Sequence, residues 1–167
     1  VPTEGYLGNV AIGTQATANA SSVAIGQMVT STGDATIGIG MGVVSNGSGA
    51  SIAMGAATTA SGYASIAMGN MSRSTQMNGI ALGSGSYTTA EEALAISRAS
   101  YATGYASQAV GMYATATGVG SQAIGQETYA SADKALAVGA FATASGLNAV
   151  AVGSHNTASG NQSIAVG

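Results

Sequence analysis

The chain has 167 residues, of which only three are Lys or Arg and six are Asp or Glu; the formal net charge is −3 and there is no cysteine. This composition excludes disulfide staples and thiolate metal sites, and it offers no basic stripe to neutralise phosphates, so nucleic acid is not an expected partner. Gly, Ala, Ser and Thr dominate, a balance too weakly charged for disorder and too polar for a membrane segment, so a soluble, elongated body with no direct membrane contact is expected.

In chain order, the first repeat closes on Asn9-Val10-Ala11-Ile12-Gly13 and the second on Ser21-Ser22-Val23-Ala24-Ile25-Gly26, a step of 13 residues. The third, Thr36-Ile37-Gly38-Ile39-Gly40, replaces the alanine by Gly38, continues into Met41-Gly42, and precedes the sole 15-residue step, to Ser51-Ile52-Ala53-Met54-Gly55. Local irregularity is predicted there. From Gly55 the step is 14 throughout, by way of Gly69, Gly83, Gly111, Gly125, Gly139 and Gly153 to Ser163-Ile164-Ala165-Val166-Gly167, with Ser97 standing where one closing glycine is due. A single short period means stacked coils, each burying its surface against its neighbours. The whole chain, 1–167, reads as one domain of about twelve such coils, an excised segment of a longer protein that opens at Val1 without an initiator methionine.

Numbering each coil so that its closing glycine is position fourteen, positions eleven and thirteen are aliphatic or Met, apart from Gln108 and Gln122 at position eleven. Residues two apart share a face of an extended strand. A helix is disfavoured by the recurrent glycine, which costs about 1 kcal/mol each, and by the lack of a 3.6-residue stripe. Positions three and five, such as Ala142 and Ala144, are small and supply a second strand. Fourteen residues accommodate two strands and two tight turns, so an all-β, two-sheet parallel roll is predicted, with the large residues of positions eleven and thirteen inside it, facing the small ones.

On that reading position twelve points outward. It is occupied by Ala11, Ala24, Ala53, Ala67, Ala81, Ala95, Ala109, Ala123, Ala137, Ala151 and Ala165, and an uncharged ladder of methyl groups predicts close contact with another copy of the chain, a homo-oligomer. Position four is the outward site of the other strand and contains Arg73, Tyr87, Tyr101, Thr115 and Tyr129, joined on the rim by Tyr63 and Tyr105 at position eight. Tyr presents a large area with little rotamer entropy and a polar tip, which makes this row the candidate ligand-binding surface; strand propensity and ladder stacking account for such a row equally well.

No catalytic constellation is legible. His155 stands on a coil without Asp, Glu or Cys beside it, so neither a triad nor a metal site assembles within one chain. It reads as a solvated histidine, with convergence of three copies on an ion as the alternative. Glu91 and Glu92 are adjacent and diverge if extended, and the glycines lead into no helix that would cradle a phosphate. The chain is not expected to be an enzyme, nor to hold a cofactor or metal.

The motifs quoted above resemble the repeat of the YadA-like head domain of trimeric autotransporter adhesins, over essentially the whole chain. The resemblance implies a left-handed parallel β-roll and a homotrimer whose inner strands face a threefold axis, displayed on a bacterial outer membrane at the tip of a fibre. Neck, stalk and anchor motifs are missing from this segment, so anchoring would belong to a C-terminal region outside it. It further implies a virulence-associated role in attachment to collagen, fibronectin, laminin or host cell-surface receptors, together with autoagglutination or biofilm formation. An ice-binding β-solenoid and a passive spacer are the competing readings; the first is weakened by Arg73 and the tyrosines that interrupt the Thr row.

Overall fold

The computed structural model describes residues 8–167, so the first seven residues of the expected domain lie outside the described residues. Each repeat contributes two strands. The longer ones lead into the closing glycine, and three of them, such as Val23–Gln27, run one residue past it; from Val10–Ile12 to Ile164–Val166 they form a 12-stranded sheet in sequence order. The two-residue strands between them, from Thr17–Ala18 to Thr157–Ala158, form an 11-stranded sheet. The result is a parallel β-solenoid with the expected coil of about 14 residues, making about eleven turns where about twelve coils were expected, and no helix is present among the described residues. Neighbouring coils pair in register, for example Tyr101↔Thr115 and Ala109↔Ala123. Backbone hydrogen bonds such as Tyr101 N to Ala114 O, 2.8 Å, link each coil to the next.

The closing glycines from Gly13 to Gly153 have φ between 122° and 138°, a region open almost only to glycine. A Cβ on any of them would also run into the carbonyl of the closing residue one coil on. Ser97 alone meets this geometry with a side chain, at φ 104°. Where position three carries a hydroxyl, it ties the turn: Ser86 Oγ donates to Gly83 O at 2.9 Å, Ser100 Oγ to Ser97 O at 3.0 Å and Thr128 Oγ1 to Gly125 O at 3.1 Å.

The interior is the reverse of the expectation for the longer strand. Ala24, Ala53, Ala67, Ala81, Ala95, Ala109, Ala123, Ala137 and Ala151 are 0% exposed within a single chain. The Ala ladder is therefore core, not an outward interface; only at the two ends does it open, at Ala11 and half-buried Ala165. The aliphatic residues of positions eleven and thirteen point outward, half-buried or exposed. Positions three and five do face inward, as expected, but they meet small residues rather than large ones. The cause is volume. Two strands joined by two tight turns lie so close that Ala, Ser, Thr and Gly fill nearly all the space between them, and the largest side chains fully buried there are two valines that face a glycine.

A seven-residue stride within the 14-residue coil expresses this directly. Ala95, Ala102, Ala109, Ala116, Ala123, Ala130, Ala137, Ala144, Ala151 and Ala158 follow one another at intervals of seven, alternate between the two sheets, and are all buried. Where the ladder changes, the opposite sheet compensates. Gly38 faces Val29 and Val43, the two largest fully buried side chains, and a Cβ on Gly38 would lie 2.9 Å from Val29 Cγ1.

The two length irregularities fall in the same turn, the one leading into the longer strand. Thr17↔Thr30 and Val44↔Thr59 remain paired on the way in, and Val23↔Ile37 and Ile52↔Ile66 on the way out. The short second coil makes this turn with Ala20 and Ser21, both at positive φ (53° and 64°). The long fourth coil inserts its extra residue between Asn46 and Ser51, where the Tyr63 ring lies close over Gly49. The irregularity expected near the third coil is thus confined to a turn, and both sheets run on undisturbed.

Candidate binding surface

The roll has two broad faces and two narrow edges. The outward row of the two-residue strands is continuous: Arg73↔Tyr87, Tyr87↔Tyr101, Tyr101↔Thr115 and Thr115↔Tyr129 are successive register pairs. We refer to this as the tyrosine sheet. Its side chains point out because positions three and five on either side of them point in. Tyr101 and Tyr129 are 43% and 50% exposed, Arg73 is exposed, and Tyr87 and Thr115 are half-buried between their neighbours. The row expected from sequence therefore exists as a physical ladder.

Within it, one group is drawn together. The Arg73 guanidinium lies 5.9 Å from the centroid of the Tyr87 ring, and the Tyr87 and Tyr101 rings are 6.2 Å apart, tilted by 60°. With Met71 and Gly85 they line an open depression of about 340 Å³. Met71 and Gly85 were not singled out by the sequence. They occupy position two, on the turn that feeds the row, and Gly85 leaves open the space that a side chain there would occupy, since nothing lies within 4 Å of its missing Cβ. A glycine at position two, shared only with Gly42 among the described coils, was the available signal.

Tyr63 and Tyr105 do not join this group. Both are exposed, but they stand on the opposite narrow edge, separated from each other by the coils that bear Met77 and Glu91 at the equivalent place. His155 is on the edge formed by the first turn. Its Nδ1 is 2.8 Å from Ser154 Oγ, and its ring stacks on Phe141 with centroids 4.8 Å apart. Among the described residues no three His, Asp or Glu side chains gather into a group that would hold a metal ion.

The other broad face is the outward side of the longer strands, here called the aliphatic sheet. It presents Ile25, Ile39, Met54, Met68, Leu82, Ile96, Val110, Ile124, Val138 and Val152 in one column, and Val23, Ile37, Ile52, Ile66, Ile80, Leu94, Leu136 and Val150 in a second, which Gln108 and Gln122 interrupt. Met68 and Ile124 remain 40% and 36% exposed in the middle of the rod.

A regular parallel β-solenoid with 14-residue coils and two chemically distinct outward faces defines a repeat scaffold rather than a closed globular domain. The YadA head domain repeat, in a model of two copies, matches residues 49–72, 60–86, 74–96, 97–121, 116–142 and 144–167. The chain belongs to the YadA head family, adhesin domains of the bacterial surface rather than enzymes. No curated protein matches it.

Proposed function

We propose that this chain is the adhesive head of a trimeric autotransporter fibre anchored in an outer membrane, in which the aliphatic sheets of three copies pack about a common axis and the tyrosine sheets face outward to bind host matrix proteins or cell-surface receptors. The observation that carries this reading is the aliphatic sheet itself. One unbroken column of Ile, Val, Leu and Met, beside a second that only Gln108 and Gln122 interrupt, half-buried or exposed along the rod, is an interaction surface, and fully covering one such side chain contributes about 1.5–3 kcal/mol. The interface is thus assigned to positions eleven and thirteen, in place of the alanines now known to be core. A self-complementary column that repeats along the rod suits identical copies running side by side. The opposite sheet, with Arg73 and its tyrosines, is left for ligands. Contacts that recur along a rod, and in each copy, add through multivalency.

Sedimentation equilibrium at micromolar concentration tests the assembly, and a monomer would overturn it. Solid-phase binding to collagen, fibronectin and laminin tests the ligand face: the wild-type chain binds at least one of them, and replacing both Tyr87 and Tyr101 by Ala abolishes that binding. A trimer that binds none of the three, nor cultured host cells, would instead be a spacer.

A further inference from the structure

In the depression lined by Met71, Arg73, Gly85, Tyr87 and Tyr101 a fixed cation, two non-parallel aromatic walls and an open floor coincide on the tyrosine sheet. We propose that it is a binding site for an anionic sugar unit, a pyranose carrying a carboxylate or sulfate, with the ring stacked on tyrosine and the charged group held by Arg73.

The arrangement favours this class of ligand for three reasons. First, extended peptides commonly bind by adding a strand to a free sheet edge. Here the edge strands are those at the ends of the rod, such as Val10–Ile12 and Ile164–Val166, and coils along its length bond to the coils above and below. A ligand on the side of the rod is therefore recognised through side chains, and a sugar needs nothing else. Second, the apolar C–H face of a pyranose matches the face of a tyrosine ring, whose area and polar tip are presented with little rotamer entropy. Third, Arg73 lies over a π-face, a contact that uses none of its five N–H donors. Those donors form the planar fork that matches a carboxylate or sulfate in bidentate geometry. Its register neighbours, Thr59 and Tyr87, are uncharged, so the guanidinium is the local charge that an anion meets.

The position of Gly85 supplies an internal control. Other residues at position two hold the same left-handed backbone with large side chains, such as Tyr113 at φ 60° and Phe141 at φ 58°, against 67° at Gly85. Gly85→Phe should therefore fold and place a ring in the depression.

This inference deepens the proposed ligand face and rests on the tyrosine sheet being free in the assembled head. The test uses the full chain and isolated probes: a sulfated heparin disaccharide, sialyllactose, neutral lactose and a short Glu-rich peptide, each followed by saturation-transfer NMR and calorimetric titration. At least one of the two anionic sugars binds while lactose and the peptide do not, and which of them binds identifies sulfate or carboxylate as the group read. Arg73→Gln weakens that binding by about tenfold or more, as loss of a charge-assisted hydrogen bond requires. Gly85→Phe abolishes it with the thermal midpoint and sedimentation unchanged. Equal binding of lactose, binding of the peptide in place of the sugars, binding of neither anionic sugar, or full retention of sugar binding in both variants would each overturn the proposal. Matrix-protein binding is read separately, so loss of the proposed adhesive function and loss of the sugar site are distinguishable.

Discussion

The two sheets of the roll are built by one seven-residue pattern used twice per coil, and they differ in what they turn outward. Inside, both present small residues: Ala102 and Ala116 from one sheet, Ala109 and Ala123 from the other, all fully buried. Outside, one sheet shows Ile, Val, Leu and Met, and the other shows Thr, Tyr and Arg. The comparison teaches that hydrophobicity and burial part company in this fold. The largest apolar side chains are kept out of the core by lack of volume, and the methyl-sized ones hold the chain together. The outer rows are then free to differ in chemistry without touching the packing that both depend on.

The sharpest way to break the comparison is to charge one face at a time. Replacing Ile80 and Leu94 together by Lys should abolish assembly, because an unpaired charge buried at an interface costs several kcal/mol. The same pair of changes on the other sheet, at Thr115 and Thr143, should leave assembly intact; size-exclusion chromatography with light scattering reads both. A smaller effect is expected from overfilling the core. Ala109→Leu should destabilise the chain by about 3 kcal/mol, at the upper end of overpacking costs, or prevent folding, even though the change is apolar. Val110→Leu, one residue away and facing out, should cost little. Thermal unfolding followed by circular dichroism separates them, and equal effects would refute the inside-out assignment.

At Gly38 the two sheets can be tested against each other. Gly38→Ala forces a methyl group against Val29, and Val29→Ala leaves a void, so each should cost about 1–3 kcal/mol alone. Together they recreate the ordinary Ala-on-Ala coil, and the double variant should recover most of the loss, a coupling detectable in a double-mutant cycle. The smallest change expected is a gain. Ser97 occupies the glycine conformation at φ 104°, and Ser97→Gly should raise stability by about 1 kcal/mol or more by removing that strain.

Much of this architecture was legible in the sequence. The closing glycines set the period, the β-branched pairs around Ala24 and Ala151 identified strands, and the long step to Gly55 pointed to an irregularity, whereas that of the short second coil was not anticipated. The row from Arg73 to Tyr129 was correctly placed outside. What failed was the choice of inner face. Alternation along Ile80, Ala81 and Leu82 shows only that the first and third share a side; it does not say which side is narrow. Transfer energetics alone place the isoleucine inside. The deciding signals were volumetric: an alanine every seven residues, and Gly38 falling where the opposite strand carries Val29. The depression beside Arg73 was hidden for a different reason, because it depends on an absent side chain at Gly85 and on Met71 from the preceding coil, and neither belongs to the row that was being read.

The hydrogen bonds that join the coils run along the rod, not across it, and this gives the head a mechanical character. A chain pulled by its two ends loads the bonds between the outermost coil and its neighbour, and the coil peels away before the next is stressed. Each coil of 14 residues released in this way would lengthen the chain by roughly 45 Å, at about 3.3–3.6 Å per extended residue less the small height of the coil. A strict sequence period thus becomes a length standard, and force extension of a single chain should show steps as uniform as the spacing of its glycines.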